Sequence, residues 1–283
     1  MGNLGKACAK VIRERPDFKL VGTFERNTST DIYKLKGAVD VVLVCVGSQA
    51  DAPALVPGLA KDFSTVDSYD NHKDMARYIA VIAGCRQAAD WSKATKQSQG
   101  HVNICGVGWD PGLFSLLRIY LTAFFDCEPK TFWGPGVSLG HTNAVKQIPG
   151  VRDAVQFTVP IVRENRHRRV VHVVADPCDH ARIEHKIKTM PDYFAPYETE
   201  VRFVPRIKKS ARHGGFVIAK DAHSSAQFRL RLRDNSRFTA AVMVSYAAAN
   251  YRLQKAGKPG VYTAADIAPK YLLGSDVSVL ELL

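Results

Sequence analysis

Val39-Asp40-Val41-Val42-Leu43-Val44-Cys45 is the stretch that most narrows what this chain can fold into. The run is apolar without alternation, so both faces of the strand must be covered. Strands of that kind belong to parallel sheets with a helix layer on each side. The neighbouring segments keep to the same scheme. Residues 1–14 read as an amphipathic helix, 18–24 as a strand, 53–61 as a helix and 65–69 as a short strand. Residues 73–88 then read as a helix, 102–107 as a strand and 113–125 as a helix. This alternation predicts an α/β fold with a doubly wound, Rossmann-type parallel sheet.

After residue 125 the pattern changes. Phe132-Trp133-Gly134-Pro135-Gly136 reads as a turn-rich bend, and 138–154 as irregular or helical. Strand-like runs follow at 157–162, 169–174, 201–204, 216–218 and 227–232, interrupted by one helix at about 179–190. Several runs alternate apolar and basic residues, as strands with one wet face do. They predict a second, α+β domain built on a mixed or antiparallel sheet. A small-residue helix from Phe238 to Lys255, closed by Gly257, is expected to return to the first domain. The expected division is 1–110, 111–237 and 238–283.

The chain has 283 residues, and no apolar run is long enough to span a bilayer. Its opening, Met1-Gly2-Asn3-Leu4-Gly5-Lys6, leads straight into the amphipathic segment and does not read as a signal peptide. Cys8, Cys45, Cys85, Cys105, Cys127 and Cys178 form no Cys-x-x-Cys pair, and most lie in apolar runs. A reducing, cytoplasmic setting is expected, with no metal site and no membrane partner. The formal net charge is +12, and residues 151–237 hold 18 basic and 10 acidic side chains. A small anionic substrate accounts for this excess. Nucleic acid is the competing account, but no aromatic–basic interleaving or binding motif supports it.

Four stretches carry candidate chemistry. Gly2-Asn3-Leu4-Gly5 looks like the second half of a Gly-x-Gly-x-x-Gly dinucleotide loop. Glu25-Arg26-Asn27 lies about twenty residues further on, where such folds read the adenosine ribose. An acidic residue there suits a free 2′-hydroxyl and an arginine a 2′-phosphate; this chain has both. Val46-Gly47-Ser48 is a small-residue turn where a cofactor can approach the backbone. Gly108-Trp109-Asp110-Pro111-Gly112 places a Trp and an Asp at a strand end, the usual ligand position in open α/β sheets. Taken alone, Asp110-Pro111 reads first as a helix N-cap followed by a proline at the first helical position. Asp70, taken alone, reads first as a turn or cap residue ahead of its helix.

Several longer motifs bear on the choice. Val66-Asp67-Ser68-Tyr69-Asp70-Asn71-His72, the Gly108–Gly112 and Phe132–Gly136 stretches and Ile148-Pro149-Gly150-Val151 resemble the meso-diaminopimelate D-dehydrogenase family. So do Val174-Ala175-Asp176 with Asp179-His180, Thr189-Met190-Pro191-Asp192-Tyr193-Phe194 and His213-Gly214-Gly215. The matches are collinear and cover nearly the whole chain. The resemblance implies a homodimeric enzyme of lysine and cell-wall precursor synthesis. It implies that NADP⁺ takes a hydride from the D-centre of meso-2,6-diaminopimelate, yielding ammonia and L-2-amino-6-oxopimelate. By the same resemblance Asp70 and Asp110 lie near the D-centre amine, and Trp109 and Trp133 wall the site. Leu139, Gly140, Thr158, Arg169, His213 and Asn235 bind the rest of the substrate. Gly2, Asn3, Leu4, Arg26, Asn27, Val46, Gly47, Ser48, Asp67 and Tyr69 hold the cofactor.

Two departures from the family pattern bear on function. Glu25-Arg26 stands where the family commonly has two adjacent arginines, which leaves NADP preference to Arg26. The chain also begins inside the glycine loop. Strands 18–24 and 39–45 are therefore expected to lack the neighbour they would share, and the chain as written is expected to be a poor enzyme. A non-catalytic, ligand-binding remnant that still dimerises is the competing reading from another class. The chain is also shorter between 160 and 169 than the longer family members, like the compact subgroup with which a broader D-amino-acid range is associated.

Overall fold

The computed structural model describes residues 2–48, 50–84, 100–191, 193–207 and 213–283. In chain order it contains α1 (Asn3–Arg13), a 3₁₀ helix (Arg26–Leu35), β1 (Val42–Val44), α2 (Asp51–Leu59), β2 (Thr65–Asp67), α3 (Met75–Ile82), β3 (Val102–Cys105) and α4 (Leu113–Phe124). Then come β4 (Lys130–Trp133), β5 (Gly136–Val137), α5 (Leu139–Lys146), β6 (Asp153–Ile161), β7 (Arg166–Val174), α6 (His180–Lys188), β8 (Glu198–Phe203), β9 (His213–Lys220) and β10 (Ser225–Leu232). The chain closes with α7 (Asn235–Lys255), β11 (Gly260–Thr263) and short 3₁₀ turns. It divides into one unit of Met1–Leu116 with Ser236–Leu283 and a second of Leu117–Asn235.

The first unit is the doubly wound sheet. Its four strands are parallel, in the order β1-β2-β3-β11. Val66, Val102 and Ile104 pack against Cys8 and Val11 of α1 and against Ala240, Met243 and Val244 of α7. Val44 and Cys105 join a second core with Val56 and Leu59 of α2 and Tyr78 and Ile79 of α3. Each parallel strand thus has helices to bury against, as the apolar run at 39–45 requires. Asn250 of α7 is fully buried. Its Nδ2 donates to the carbonyls of Thr65 (3.1 Å) and Val102 (2.8 Å), pinning the helix to β2 and β3.

Several boundaries differ from the sequence reading. Residues 18–24 form no strand: β1 is the sheet edge, and among the described residues no strand pairs with the segment. Backbone pairing, not composition, makes a strand. Phe18 packs against the first core instead. β11 was not expected; four residues after a proline carry no periodic signal, yet Gly260↔Val102 to Thr263↔Cys105 pairing completes the sheet. The expected helix 73–88 begins at Met75 and is described to Ile82. Its expected C-terminal end and Cys85 lie outside the described residues.

In the second unit, β10-β9-β4 is an antiparallel sheet and β5-β6-β7-β8 a mixed one. The bend expected at 132–136 is two strand ends, β4 and β5, joined through Gly134-Pro135. Val171 and Val173 alternate with Val170 and His172 along β7. The first pair meets Val145 of α5, Ile148 just after it, Ile183 and Ile187 of α6, and Phe194. Ile183, Ile187 and Phe194 are wholly buried, and each contributes about 1.5–3 kcal/mol of transfer free energy.

Asn250→Ala removes both donors from the Thr65 and Val102 carbonyls while leaving them buried. It is expected to cost about 2 kcal/mol or more, read as a lower urea midpoint at unchanged slope. An unaltered midpoint would show that the sheet does not depend on this tie.

Candidate active site

The strand ends of the first unit carry the predicted acids. After β1 the turn Val46-Gly47-Ser48 runs into α2, with the Gly47 carbonyl accepting from Ala52 N at 3.0 Å. Ser48 Oγ accepts from the backbone N of Asp70 at 3.0 Å, which ties the turn after β1 to the turn after β2. Asp70 is exposed. Asp74, not Asp70, occupies the N-cap of α3.

After β3, residues 108–112 fold into a closed loop. Gly108 bridges Gly112, and the Gly108 and Trp109 carbonyls accept from Leu113 N (3.1 Å) and Phe114 N (2.9 Å). Gly112 has φ +120°, and a Cβ there would run into the Gly108 backbone, so the loop needs glycine. Helix α4 starts at Leu113, which puts Asp110 three residues before the first helical position. The cap reading of Asp110 is therefore corrected: closing the loop moves the acid off the helix end. Asp110 and Trp109 are half-buried, and the Trp109 ring stands edge-on to Phe114 at 5.2 Å.

Gly2 is the N-cap of α1; the Gly2 carbonyl accepts from Lys6 N at 3.0 Å. Asn3 and Leu4 form the first turn, which has no acidic residue and no side-chain cap. An uncapped helix N-terminus without carboxylates fits the pyrophosphate of a dinucleotide. Arg26 and Asn27 open the 3₁₀ helix, but their side chains lie outside the described part of the structure, as does that of Leu139 at the start of α5. Asp67 and Tyr69 stand differently from the other cofactor candidates. Both are buried, Asp67 to 1% exposure. The Tyr69 ring stacks on Tyr78 at 3.8 Å. Both side chains are turned to the interior.

The second unit gathers a different set. Thr158 and Arg169 are opposite one another on β6 and β7. Arg169 Nη1 donates to Thr158 Oγ1 at 2.6 Å, and its guanidinium lies 4.3 Å over the Tyr197 ring. Arg169 is 9% exposed, its Nε has no hydrogen-bond partner, and no carboxylate among the described residues pairs with it. Burial lowers its pKa, opposed by Tyr197; an arginine nonetheless stays charged. A buried cation without an anion is costly unless a ligand supplies one. Asn235, at the start of α7, likewise has a buried Oδ1 without a partner. His213 opens β9, half-buried, with its pKa lowered by burial. Trp133 ends β4, exposed, and Gly140 sits exposed in the first turn of α5.

Three neighbours of Arg169 were missed by the sequence reading. His167 is two residues before it on the same face of β7; its Nε2 accepts from Trp133 N at 3.0 Å, and its ring lies 5.3 Å from the Trp133 ring. Period-two alternation was the available signal for His167. His141 pairs with Ser138 Oγ through Nδ1 at 2.7 Å. Tyr197 carried no local signal. Burial, then the Arg169 charge, pushes His141 and His167 down to about 4. Both are neutral near pH 7, so the cluster presents one cation and neutral acceptors.

An open parallel sheet with an uncapped helix N-terminus and strand-end carboxylates, followed by a unit holding a buried arginine that has no carboxylate partner among the described residues, is the arrangement of a nucleotide-dependent dehydrogenase. Residues 108–233 match the diaminopimelic acid dehydrogenase C-terminal domain. Meso-diaminopimelate D-dehydrogenase of Corynebacterium glutamicum is 36% identical over 97% of this chain and 93% of its own length. The Ureibacillus thermosphaericus enzyme of that name is 35% identical over 94% and 91%. The solved C. glutamicum DAP dehydrogenase in complex with DAP superposes with TM-score 0.84 at 35% identity, covering all of this chain and 95% of that one. An engineered D-amino acid dehydrogenase bound to NADP⁺ gives 0.79 at 34% identity, covering all of this chain and 96% of that one. The chain belongs to the meso-diaminopimelate D-dehydrogenase family.

Both histidines sit below the ordinary imidazole value of 6.5. Their neutral forms therefore support the fold above that pH, and the support is lost as pH falls toward about 4. His167→Gln keeps an acceptor for Trp133 N and does not titrate. Its Tm is expected to fall less than that of the parent between about pH 7 and about pH 4.5. Parallel Tm curves would show that His167 is not held neutral by its site.

Proposed function

We propose that the chain catalyses reversible, NADP-dependent oxidative deamination of the D-centre of meso-2,6-diaminopimelate, giving ammonia and L-2-amino-6-oxopimelate. Family membership supports the reaction, as do the DAP and NADP⁺ bound by its solved relatives. The observation that carries the substrate class is Arg169, a buried guanidinium with no carboxylate partner among the described residues. A substrate carboxylate supplies that charge, with Thr158 orienting the guanidinium and the Asn235 Oδ1 free to accept from an ammonium.

Hydride departs only from a carbon bearing a neutral amine, so the ammonium must first lose a proton. Asp110, on its closed loop, and Asp70 are the acceptors for that proton. Trp109 and Trp133 exclude water from the reacting carbon, and His213 contributes a hydrogen bond at the distal centre. Leu139 and Gly140 offer the first-turn N–H groups of α5 to the substrate. Bound NADP⁺ supplies the hydride acceptor. For the cofactor, Gly2, Asn3 and Leu4 receive the pyrophosphate, and Val46, Gly47 and Ser48 approach through backbone. Arg26 pairs with the 2′-phosphate, with Asn27 beside it. Glu25 is exposed next to Arg26, which makes the preference for NADP⁺ over NAD⁺ modest.

Steady-state kinetics tests this reading. Asp110→Asn is expected to lower turnover about a hundredfold or more at unchanged Tm, and Arg169→Met to raise KM for the dicarboxylate by a similar factor. Near-normal turnover in the first variant, or a normal KM in the second, would remove that residue from its role. A higher efficiency with NAD⁺ than with NADP⁺ would give the choice to Glu25.

A cytoplasmic homodimer is the accompanying proposal. On the face of the mixed sheet opposite α5 and α6, Phe157, Val159 and Val170 form an apolar strip flanked by Arg168 and Arg202. Such a strip suits a second copy of the chain. Sedimentation should report twice the 31.2 kDa chain mass; a monomer at micromolar concentration would sink the proposal.

A further inference from the structure

We propose that Asp67 is a positioning residue, whose buried carboxyl group holds together the two loops that carry Asp70 and Asp110. The proposal rests on the reading of those two acids given above. Asp67 ends β2. Its Oδ1 accepts from Tyr69 N at 2.9 Å and from Gly106 N at 3.0 Å, and its Oδ2 accepts from the Tyr78 hydroxyl at 3.0 Å. Its carbonyl accepts from Val107 N at 2.8 Å. One residue therefore joins the loop after β2, the loop after β3 and helix α3.

These contacts lead directly to the acids. Tyr69 is followed by Asp70, whose own N–H is held by Ser48. Val107 is followed by Gly108, the base of the closed loop that presents Trp109 and Asp110. Between Asp70 and Asp110 the path runs through Tyr69, Asp67, Gly106 and Val107. Asp67 is the one side chain in that path whose polar atoms bridge both loops. The loops are also packed against each other. Gly106 has φ +66°, and a Cβ there would lie 2.9 Å from Met75 Cε and 3.3 Å from the Tyr69 carbonyl oxygen. The parallel stack of Tyr69 on Tyr78 closes the cluster from the helix side. Burial raises the Asp67 pKa against the pull of its donors, as expected for a carboxyl retained in the interior for its hydrogen bonds. Proton transfer is sensitive to placement, and about 1 Å of misplacement costs about a hundredfold in rate. A residue that sets the separation of two acids thus acts on turnover without touching substrate or cofactor.

The test compares Asp67→Asn, Asp67→Ala and Tyr78→Phe in the full chain. Turnover is expressed per NADP⁺-binding site, counted by calorimetric titration. Asn keeps an oxygen for both N–H donors and can donate its amide to the Tyr78 oxygen. It should hold turnover within about tenfold of the parent. Ala should lose about a hundredfold per site, and Tyr78→Phe about three- to tenfold. NADP⁺ affinity and substrate KM should stay within about twofold in all folded variants. A clamp that only stabilises the fold would lower the number of sites and leave turnover per site alone. Full turnover per site in Ala would overturn the proposal; if Ala does not fold, full turnover in Tyr78→Phe would do so. A tenfold loss of NADP⁺ affinity in Asn would overturn it differently, by showing a cofactor contact. Asp110→Asn serves as the control. If that variant is fully active, the reading of the acids fails, and there is nothing for Asp67 to position. If it is inactive while Asp67→Ala is active, only the positioning role fails.

Discussion

A parallel strand has no hairpin to hold it, and its stability comes from neighbours far away in the chain. The first unit is governed by that constraint. β3 pairs with β2 on one side and with β11, more than 150 residues later, on the other. The return of α7 is what makes this possible: it buries Ala240, Met243 and Val244 against Val66, Val102 and Ile104. Asn250 then takes up the Thr65 and Val102 carbonyls. The same return supplies Asn235, at the first position of α7.

The two units solve opposite electrostatic problems. In the first, a buried carboxyl group is satisfied by N–H, O–H and S–H donors, so its hydrogen bonds are spent on geometry. In the second, the buried charge is a cation and its donors are incompletely used. The surrounding groups sharpen the difference. His141 and His167 are held neutral, so they do not compete with an anion or add to the cationic charge. Tyr197 offers its ring face and a hydrogen bond, which lower the cost of burial without neutralising the guanidinium.

The sequence shows most of this architecture where periodicity is strong. The apolar run at 39–45, the alternation after 157 and the small-residue helix from 238 all name their elements correctly, with boundaries a few residues off. It fails where structure depends on a partner rather than on the segment itself. Residues 18–24 have strand composition but no neighbour, and β11 has a neighbour but little composition to announce it. The site divides in the same way. Arg169 and Thr158 follow from the family resemblance, whereas Tyr197 reaches Arg169 only through tertiary packing. Asp110 before a proline has the local chemistry of a cap. Only the closed loop, with Gly112 at φ +120°, shows that the helix begins beyond it.

The basic excess of residues 151–237 can now be divided by what each charge faces. Arg152 pairs with Asp176, Arg166 with Glu164 and Glu198, Arg182 with Asp179, and Arg202 with Glu200. All four arginines are about half exposed at their side chains, where such pairs contribute little and salt screens them. Arg169 is the one arginine of the described residues that is buried. Exposed pairs neutralise charge at small cost either way, so their number says little about function. A guanidinium moved into the interior without a carboxylate gives up hydration that the chain does not return, and an acidic ligand is the group that would return it. The charge proposed to meet the substrate is therefore the one the net total hides.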